Sequence, residues 1–255
     1  MTASRYTVVG AHLLLSAALL GGLLVVMLTL WYPAGLFGVA GGWQGLRILA
    51  PIDLVLGPLL TLMFYRPGKR GVVRDLAVIG CVQIAALSYG LFAVYQQRPV
   101  AIVFAEGEFI AVTPADRDEA NAALRARDYR PVDPRTLSEA TPPLVVARPV
   151  PPDEYGSYIT SLFNDMPELA MRADRYEPLA VHRTLLDKHA VDGGEASGTD
   201  AWFRLKTKFG TGRIRIDLSH GGVIASHRDT AASEPRAQAL HQGSDKRDDH
   251  HTTNN

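Results

Sequence analysis

The chain is poor in the residues that most often carry covalent stability or chemistry. It has one cysteine among 255 residues, Cys81, so no intramolecular disulfide can form and every folded part must be stable without one. It has no Gly-x-Ser-x-Gly, no phosphate-binding glycine loop and no His-Glu-x-x-His motif, which removes the usual signatures of serine hydrolases, nucleotide enzymes and zinc proteases. Charge is scarce at the front: residues 1–95 hold six Lys/Arg and two Asp/Glu, whereas residues 96–255 hold 20 and 24. The net charge of zero is therefore the sum of a basic front and a slightly acidic remainder. Neither part has the concentrated basic surface that nucleic-acid binding needs. Residues 96–255 also lack any apolar run comparable with those before them.

Three such runs fill the front. Residues 8–31 give 24 positions whose only ionisable side chain is His12, and residues 46–65 and 76–95 give 20 positions each. About 20 residues at ~1.5 Å rise cross the ~30 Å hydrocarbon layer, so the spacing predicts three transmembrane helices in a membrane domain covering 1–95. Residues 32–45 contain no Lys or Arg, whereas the loop after the second run contains Arg66, Lys69, Arg70 and Arg74. Basic residues in short loops stay in the cytoplasm. That places the N-terminus and the second loop inside and everything after residue 95 outside, which in a bacterium means an inner-membrane protein with a periplasmic domain. Trp31, Tyr32, Trp43 and Tyr95 mark one lipid interface, Tyr6 and Tyr65 the other. A cleaved signal peptide ending near Gly38-Val39-Ala40 is the rival reading of the first run, but 24 apolar positions far exceed the roughly 7–15 of such signals.

The second run contains Pro51, Asp53 and the pair Gly57-Pro58. A central carboxylate costs about 2.5–3.5 kcal/mol on insertion scales, against about 0.3–0.6 kcal/mol gained per strong apolar residue, so insertion is expected as a hairpin with the third helix. At ~1.5 Å per residue Asp53 lies ~10 Å below the outer end of its helix, level with Ser88 and Tyr89, while Gln83 is ~18 Å down. Ser88 or Tyr89 is the expected hydrogen-bond partner, and His12, near the opposite face, is not. Asp53, Gly57, Pro58, Gln83, Ser88 and Tyr89 are thus the candidates for intramembrane recognition. The alternative is that Asp53 serves backbone freed at the prolines. The pairs Ala18/Gly22 and Ala86/Gly90 read as close helix packing, with a docking face for another helix as the second reading.

Residues 96–228 predict a small α+β domain with an antiparallel sheet. Strands are expected at 100–104 and 109–113 around Ala105-Glu106-Gly107-Glu108, then a helix capped by Thr113 with Pro114 in its first turn, running to about Asp128. Residues 129–152 carry seven prolines and read as an extended crossing with one edge strand at 144–148. Helical spacing recurs at 153–164 and 179–189. Alternation at 201–208 and 213–218 buries Phe203, Leu205, Ile214, Ile216 and Leu218, and a third strand at 223–226 completes a meander. Residues 193–198 read as a flexible link and 229–255 as a disordered tail.

Potential reactive groups in this domain are sparse. His182 and His189 stand seven apart, ~10 Å along a helix and too far to share one ion. Asp165 and Glu168 flank Pro167 and fit capping better than acid–base work. The stripe Arg204, Lys206, Lys208, Arg213 and Arg215 reads as the solvated face of the sheet or as a surface for an acidic partner.

The order Trp31-Tyr32-Pro33, then Asp53-Leu54-Val55-Leu56-Gly57-Pro58-Leu59-Leu60-Thr61, Tyr65-Arg66-Pro67-Gly68-Lys69, Asp75, Gln83, Tyr89-Gly90, Arg98-Pro99-Val100 and Val103-Phe104 resembles the TfpX/TfpZ family of type IV pilin accessory proteins over about residues 10–112. The resemblance implies an inner-membrane, non-enzymatic chaperone that supports the level or assembly of a cognate type IV pilin. It implies no cofactor and no metal, with the pilin and the lipid bilayer as partners. A membrane-anchored sensor or ligand-binding protein is the alternative. It lacks a cytoplasmic output domain in this reading.

Overall fold

A computed structural model describes residues 4–65, 71–191 and 199–229. The basic loop residues Arg66, Lys69 and Arg70, the expected link at 193–198 and the expected tail beyond residue 229 lie outside the described residues.

The front of the chain forms three helices long and apolar enough to cross a membrane, Tyr6–Trp31, Gly42–Phe64 and Val73–Gln97. The first, α1 (Arg5–Val26), starts at Ser4, whose hydroxyl accepts from the Thr7 N–H at 3.2 Å, and closes through a wide π turn at Met27–Trp31. After a short α2 (Leu36–Val39) the second begins as α3 (Gly42–Pro51), passes through another π turn at Ile52–Leu56 and continues as α4 (Gly57–Phe64). Pro58 has no N–H and its ring crowds the carbonyl four residues back. The helix widens there instead of breaking: the Gly57 N–H reaches the Ile52 carbonyl five residues earlier. The third helix is α5 (Val72–Gln97).

The connection at 32–45, expected as a plain outer loop, is folded and buried. Tyr32, Leu36 and Val39 are at most 1% exposed. Thr207 Oγ1 donates to the Val39 carbonyl and Ser226 Oγ to the Ala34 carbonyl, both at 3.0 Å. A run without charges that sets Tyr32, Leu36, Phe37 and Val39 among small residues gains more by burial than by solvation, and the sheet supplies the surface against which it is buried.

That sheet has seven strands: β1 (Ala101–Ala105), β2 (Glu108–Val112), β3 (Leu144–Ala147), β4 (Tyr176–Pro178), β5 (Asp200–Thr207), β6 (Gly210–Asp217) and β7 (Gly222–Arg228), in the order β4-β3-β1-β2-β5-β6-β7. It is mixed, not antiparallel as the sequence suggested, because β1 pairs parallel with β3 and β2 parallel with β5. Both parallel joins follow long crossovers, through α6 (Pro114–Arg125) in one case and α7 (Tyr155–Leu162) and α8 (Arg183–Asp187) in the other, and such crossovers return a strand in the same direction. Nor is β3 an edge: Val145, Val146 and Ala147 pair with Pro178, Glu177 and Tyr176 of β4. The hairpin β1–β2 and the meander β5–β6–β7 are antiparallel.

Both faces of the central strands are covered, so β1 and β3 are buried at every position and read as unbroken apolar runs. Ile102, Phe104, Leu144, Val146, Phe203, Leu205, Ile214 and Ile216 join Met27, Tyr32, Leu36, Phe37, Leu49 and Val94 in one core that runs from the helix ends into the sheet. Ala101, Val103, Val145 and Ala147 face the opposite way, onto Leu124, Tyr158, Leu169 and Tyr176.

The start of α6 follows the sequence closely. Thr113 Oγ1 accepts from the Asp116 N–H at 3.3 Å and donates to Asp116 Oδ2 at 2.6 Å. Thr113→Ala is expected to cost about 1 kcal/mol, measured as a shift in the denaturant midpoint, with Thr113→Ser close to wild type.

Candidate functional site

Polar side chains from all three long helices meet in a seam between them. His12 and Ser16, one turn apart, share a face of α1. Opposite them stand Asp53, Gly57 and Thr61 of the second helix. Ser16 Oγ donates to Asp53 Oδ1 at 3.1 Å. Thr61 Oγ1 donates to the Gly57 carbonyl at 3.1 Å and lies 2.9 Å from His12 Nδ1. With the hydroxyl proton committed to the carbonyl, the His12 contact is met by a proton on Nδ1. Ser16, Asp53 and Thr61 are all buried.

From the third helix Gln83 lies against the backbone of Gly57. A Cβ at Gly57 would sit 1.8 Å from Gln83 Nε2 and 3.0 Å from His12 Nε2, so a larger residue here would displace the Gln83 amide from its place in the seam. Gly57 and Pro58 are both buried. Asp53 Oδ2 and Gln83 Nε2 have no hydrogen-bond partner among the described residues. Buried polar atoms are usually satisfied, and two orphans in one seam mark it as chemically unusual.

The remaining candidates do not join it. Ser88 is exposed and Tyr89 is 76% exposed, and the partner of Asp53 is Ser16 of α1 instead of either of them. Axial depth fixes height and leaves azimuth open. On α5 the inward stripe passes through Gln83, Leu87, Gly90 and Val94, and Ser88 and Tyr89 point away from it. Asp53 also accepts a side-chain hydroxyl, where the alternative reading had it serving freed backbone. The signal that could have located Ser16 was its position four residues after His12 on an otherwise apolar helix. Of the small-residue pairs, Gly90 packs on Leu49, a Cβ there falling 2.5 Å from Leu49 Cδ2, while Gly22 has nothing within 4 Å.

Removing the Ser16 hydroxyl leaves both carboxyl oxygens of Asp53 without a partner. Ser16→Ala is expected to destabilise by about 1–3 kcal/mol, read as a lower thermal midpoint in detergent. Asp53→Leu in the Ser16→Ala background is expected to recover much of that loss, since an apolar pair of similar shape carries no desolvation penalty.

In the head the imidazoles are individually engaged, His182 Nε2 with Glu177 Oε2 at 2.6 Å and His189 Nδ1 with the Leu185 carbonyl at 2.9 Å. Among the described residues no three His, Cys, Asp or Glu converge as a metal site would require. The basic stripe is partly internally paired, Arg215 with Asp200 at 2.9 Å and Arg213 with Asp229 at 3.5 Å. Burial pushes the Tyr176 hydroxyl up from its ordinary pKa, and it donates to the Ala170 carbonyl at 2.7 Å, a structural role.

Fold and site together define a scaffold: three helices of spanning length, joined through a shared core to a mixed-sheet head, with a polar seam between the helices. No family model matches the chain, and no solved structure matches it. Three curated proteins of Dichelobacter nodosus do. The chain is 38% identical over 100 residues to "Fimbrial assembly protein, serogroups C1 and C2", a match covering 37% of this chain and 74% of that protein. It is 38% identical over 100 residues to the serogroup I protein and 34% identical over 97 residues to the serogroup E1 protein, in each case across 37% of this chain and 38% of the relative's length. The chain belongs to the family of fimbrial assembly proteins.

Proposed function

We propose that this chain is a three-pass inner-membrane accessory protein of the TfpX/TfpZ kind, N-terminus in the cytoplasm and head in the periplasm, that supports the level or assembly of a cognate type IV pilin without catalysis. The observation that carries the reading is the similarity to fimbrial assembly proteins. The geometry supports it. The buried 32–45 segment joins the helices to the sheet in one core, an arrangement suited to holding a pilin's membrane helix and its globular part in fixed relation. The polar seam around Asp53, Gly57, Pro58 and Gln83, together with Ser88 and Tyr89 on the outward face of α5, is the proposed recognition region within the membrane. A spanning segment rarely keeps an ionisable residue without a role.

Deletion of the gene is expected to lower pilin abundance and surface pili, measured by immunoblot and electron microscopy under native expression. Normal amounts of both would reject the reading. Asp53→Asn keeps an acceptor for Ser16 but removes the carboxyl group, and it is expected to reduce surface pili at unchanged protein level. If pili and protein are both unchanged, the seam is not a recognition site.

A further inference from the structure

A cleft of about 400 Å³ opens where the helices end and the head begins, lined among others by Leu30, Trp31, Arg98, Arg135, Glu139 and Thr141. Its floor is the last turn of the first long helix. Its wall is the end of α5, and an edge-on contact between Trp31 and Tyr95, ring centroids 5.3 Å apart, brings the two helix ends to one level. The Arg98 guanidinium stacks 3.4 Å above the centre of the Tyr95 ring and donates through Nη1 to the Tyr95 carbonyl at 2.6 Å. From the far side the turn at Pro134–Thr136 presents Arg135.

Among the described residues neither Arg98 nor Arg135 pairs with a carboxylate, whereas Arg117 close by is bridged to Asp118 at 2.8 Å. Burial, the largest influence, lowers the Arg98 pKa from its ordinary value; Tyr95 opposes it, the Arg117 and Arg135 cations lower it further, and Tyr32 opposes them weakly. Two guanidiniums at one opening suit a single phosphate, whose oxygens accept their forked donors. Glu139 stands at the same opening and suits a cation. The apolar side chains below, Leu30 and Trp31, are those of a helix end at the level where lipid headgroups begin.

We infer that this cleft binds the headgroup of one phosphatidylethanolamine molecule of the outer leaflet, its phosphate held by Arg98 and Arg135, its ammonium by Glu139 and its acyl chains lying along Leu30 and Trp31. The inference rests on the membrane-spanning reading above but is independent of the pilin. A phosphatidylglycerol headgroup offers the phosphate without the ammonium, leaves Glu139 without a partner and binds less well.

The test is native mass spectrometry of the full chain, purified in detergent and titrated separately with phosphatidylethanolamine, phosphatidylglycerol, inorganic phosphate and glycerophosphoethanolamine. The wild type is expected to retain one phosphatidylethanolamine. Arg98→Gln/Arg135→Gln is expected to weaken that retention about tenfold or more, and Glu139→Gln to erase the preference over phosphatidylglycerol. Should the double variant fail to fold, Arg135→Gln alone, on an exposed turn, carries the test with a loss of about threefold or more. Equal retention by the wild type and the folded variant overturns the site. So does displacement of the lipid by millimolar phosphate or glycerophosphoethanolamine, which would assign the cleft to a free phosphate. Release of the chain from membranes by carbonate alone overturns the spanning reading and this inference with it. Normal pilin levels in the deletion strain reject only the pilin role and leave the lipid site standing.

Discussion

Phe203→Ala is expected to remove about 3–5 kcal/mol of stability, a large part of the roughly 5–15 kcal/mol that holds a typical domain. Phe203 is 0% exposed and its ring centroid lies 5.1 Å from that of Phe109 and 6.4 Å from that of Phe104, both edge-on. These three rings sit where the β1–β2 hairpin joins the β5–β7 meander, a seam in which β2 and β5 pair directly at only two positions, Phe109 with Leu205 and Ile110 with Lys206. Side-chain packing therefore has to supply what a short ladder does not. Truncation leaves a cavity that neighbouring β-strands cannot collapse to fill, so the transfer loss and the cavity loss add. Denaturant unfolding of the full chain in detergent reads the change. Phe163→Ala is the matched control, because Phe163 is 86% exposed and its removal is expected to stay within about 0.5 kcal/mol. A midpoint for Phe203→Ala as close to wild type as the control's would mean that the two sheet halves are not joined through this cluster.

Gly41→Ala is expected to cost about 2–5 kcal/mol through two separable effects. The backbone at Gly41 has φ +97°, a conformation that any Cβ strains, and the added carbon would lie 2.3 Å from Phe209 Cε2 at the β5–β6 turn. Phe209→Ala in the same background removes the collision and leaves the strain, so the double variant is expected to recover about 1–3 kcal/mol. The functional consequence follows from where Gly41 lies. It ends the buried segment that fastens the head to the helices, so hydrogen exchange of residues 205–212 is expected to accelerate in Gly41→Ala while exchange in β1 and β3 stays slow. Uniform acceleration through the whole sheet would show that the fastening is not a local unit.

The contrast between these two sites shows what could be read in advance. Phe203 and Leu205 fall on one side of an alternating run, and a period of two suffices to bury them. The Thr113 cap, the hairpin around Glu106-Gly107 and the meander ending in β7 are likewise local arrangements, formed between segments adjacent in sequence. Gly41 carried no such signal. The Phe209 ring fills the space beside it, and the two meet where Thr207 hydrogen-bonds Val39, 168 positions away along the chain. The mixed character of the sheet was hidden for the same reason. A strand's own residues do not say whether its neighbour runs with it or against it; the length and course of the crossover do. In the polar seam the sequence marked Asp53, Gly57 and Gln83 as out of place among apolar neighbours, but assigned Asp53 the wrong partner, because a rise per residue carries no information about which way a helix is turned.

By itself, then, the order of residues determined where the long apolar helices lie, which stretches become strands apart from the short β4 at Tyr176–Pro178, and which polar groups are costly enough in an apolar setting to merit attention. Those properties depend on periodicity, composition and capping, all short-range. Only the tertiary structure decided that the uncharged 32–45 connection is core, that β3 lies inside the sheet, that Ser16 meets Asp53, and that Arg98 and Arg135 face one cleft. Each of these is a contact between segments distant along the chain, and its free energy exists only after the chain has closed upon itself.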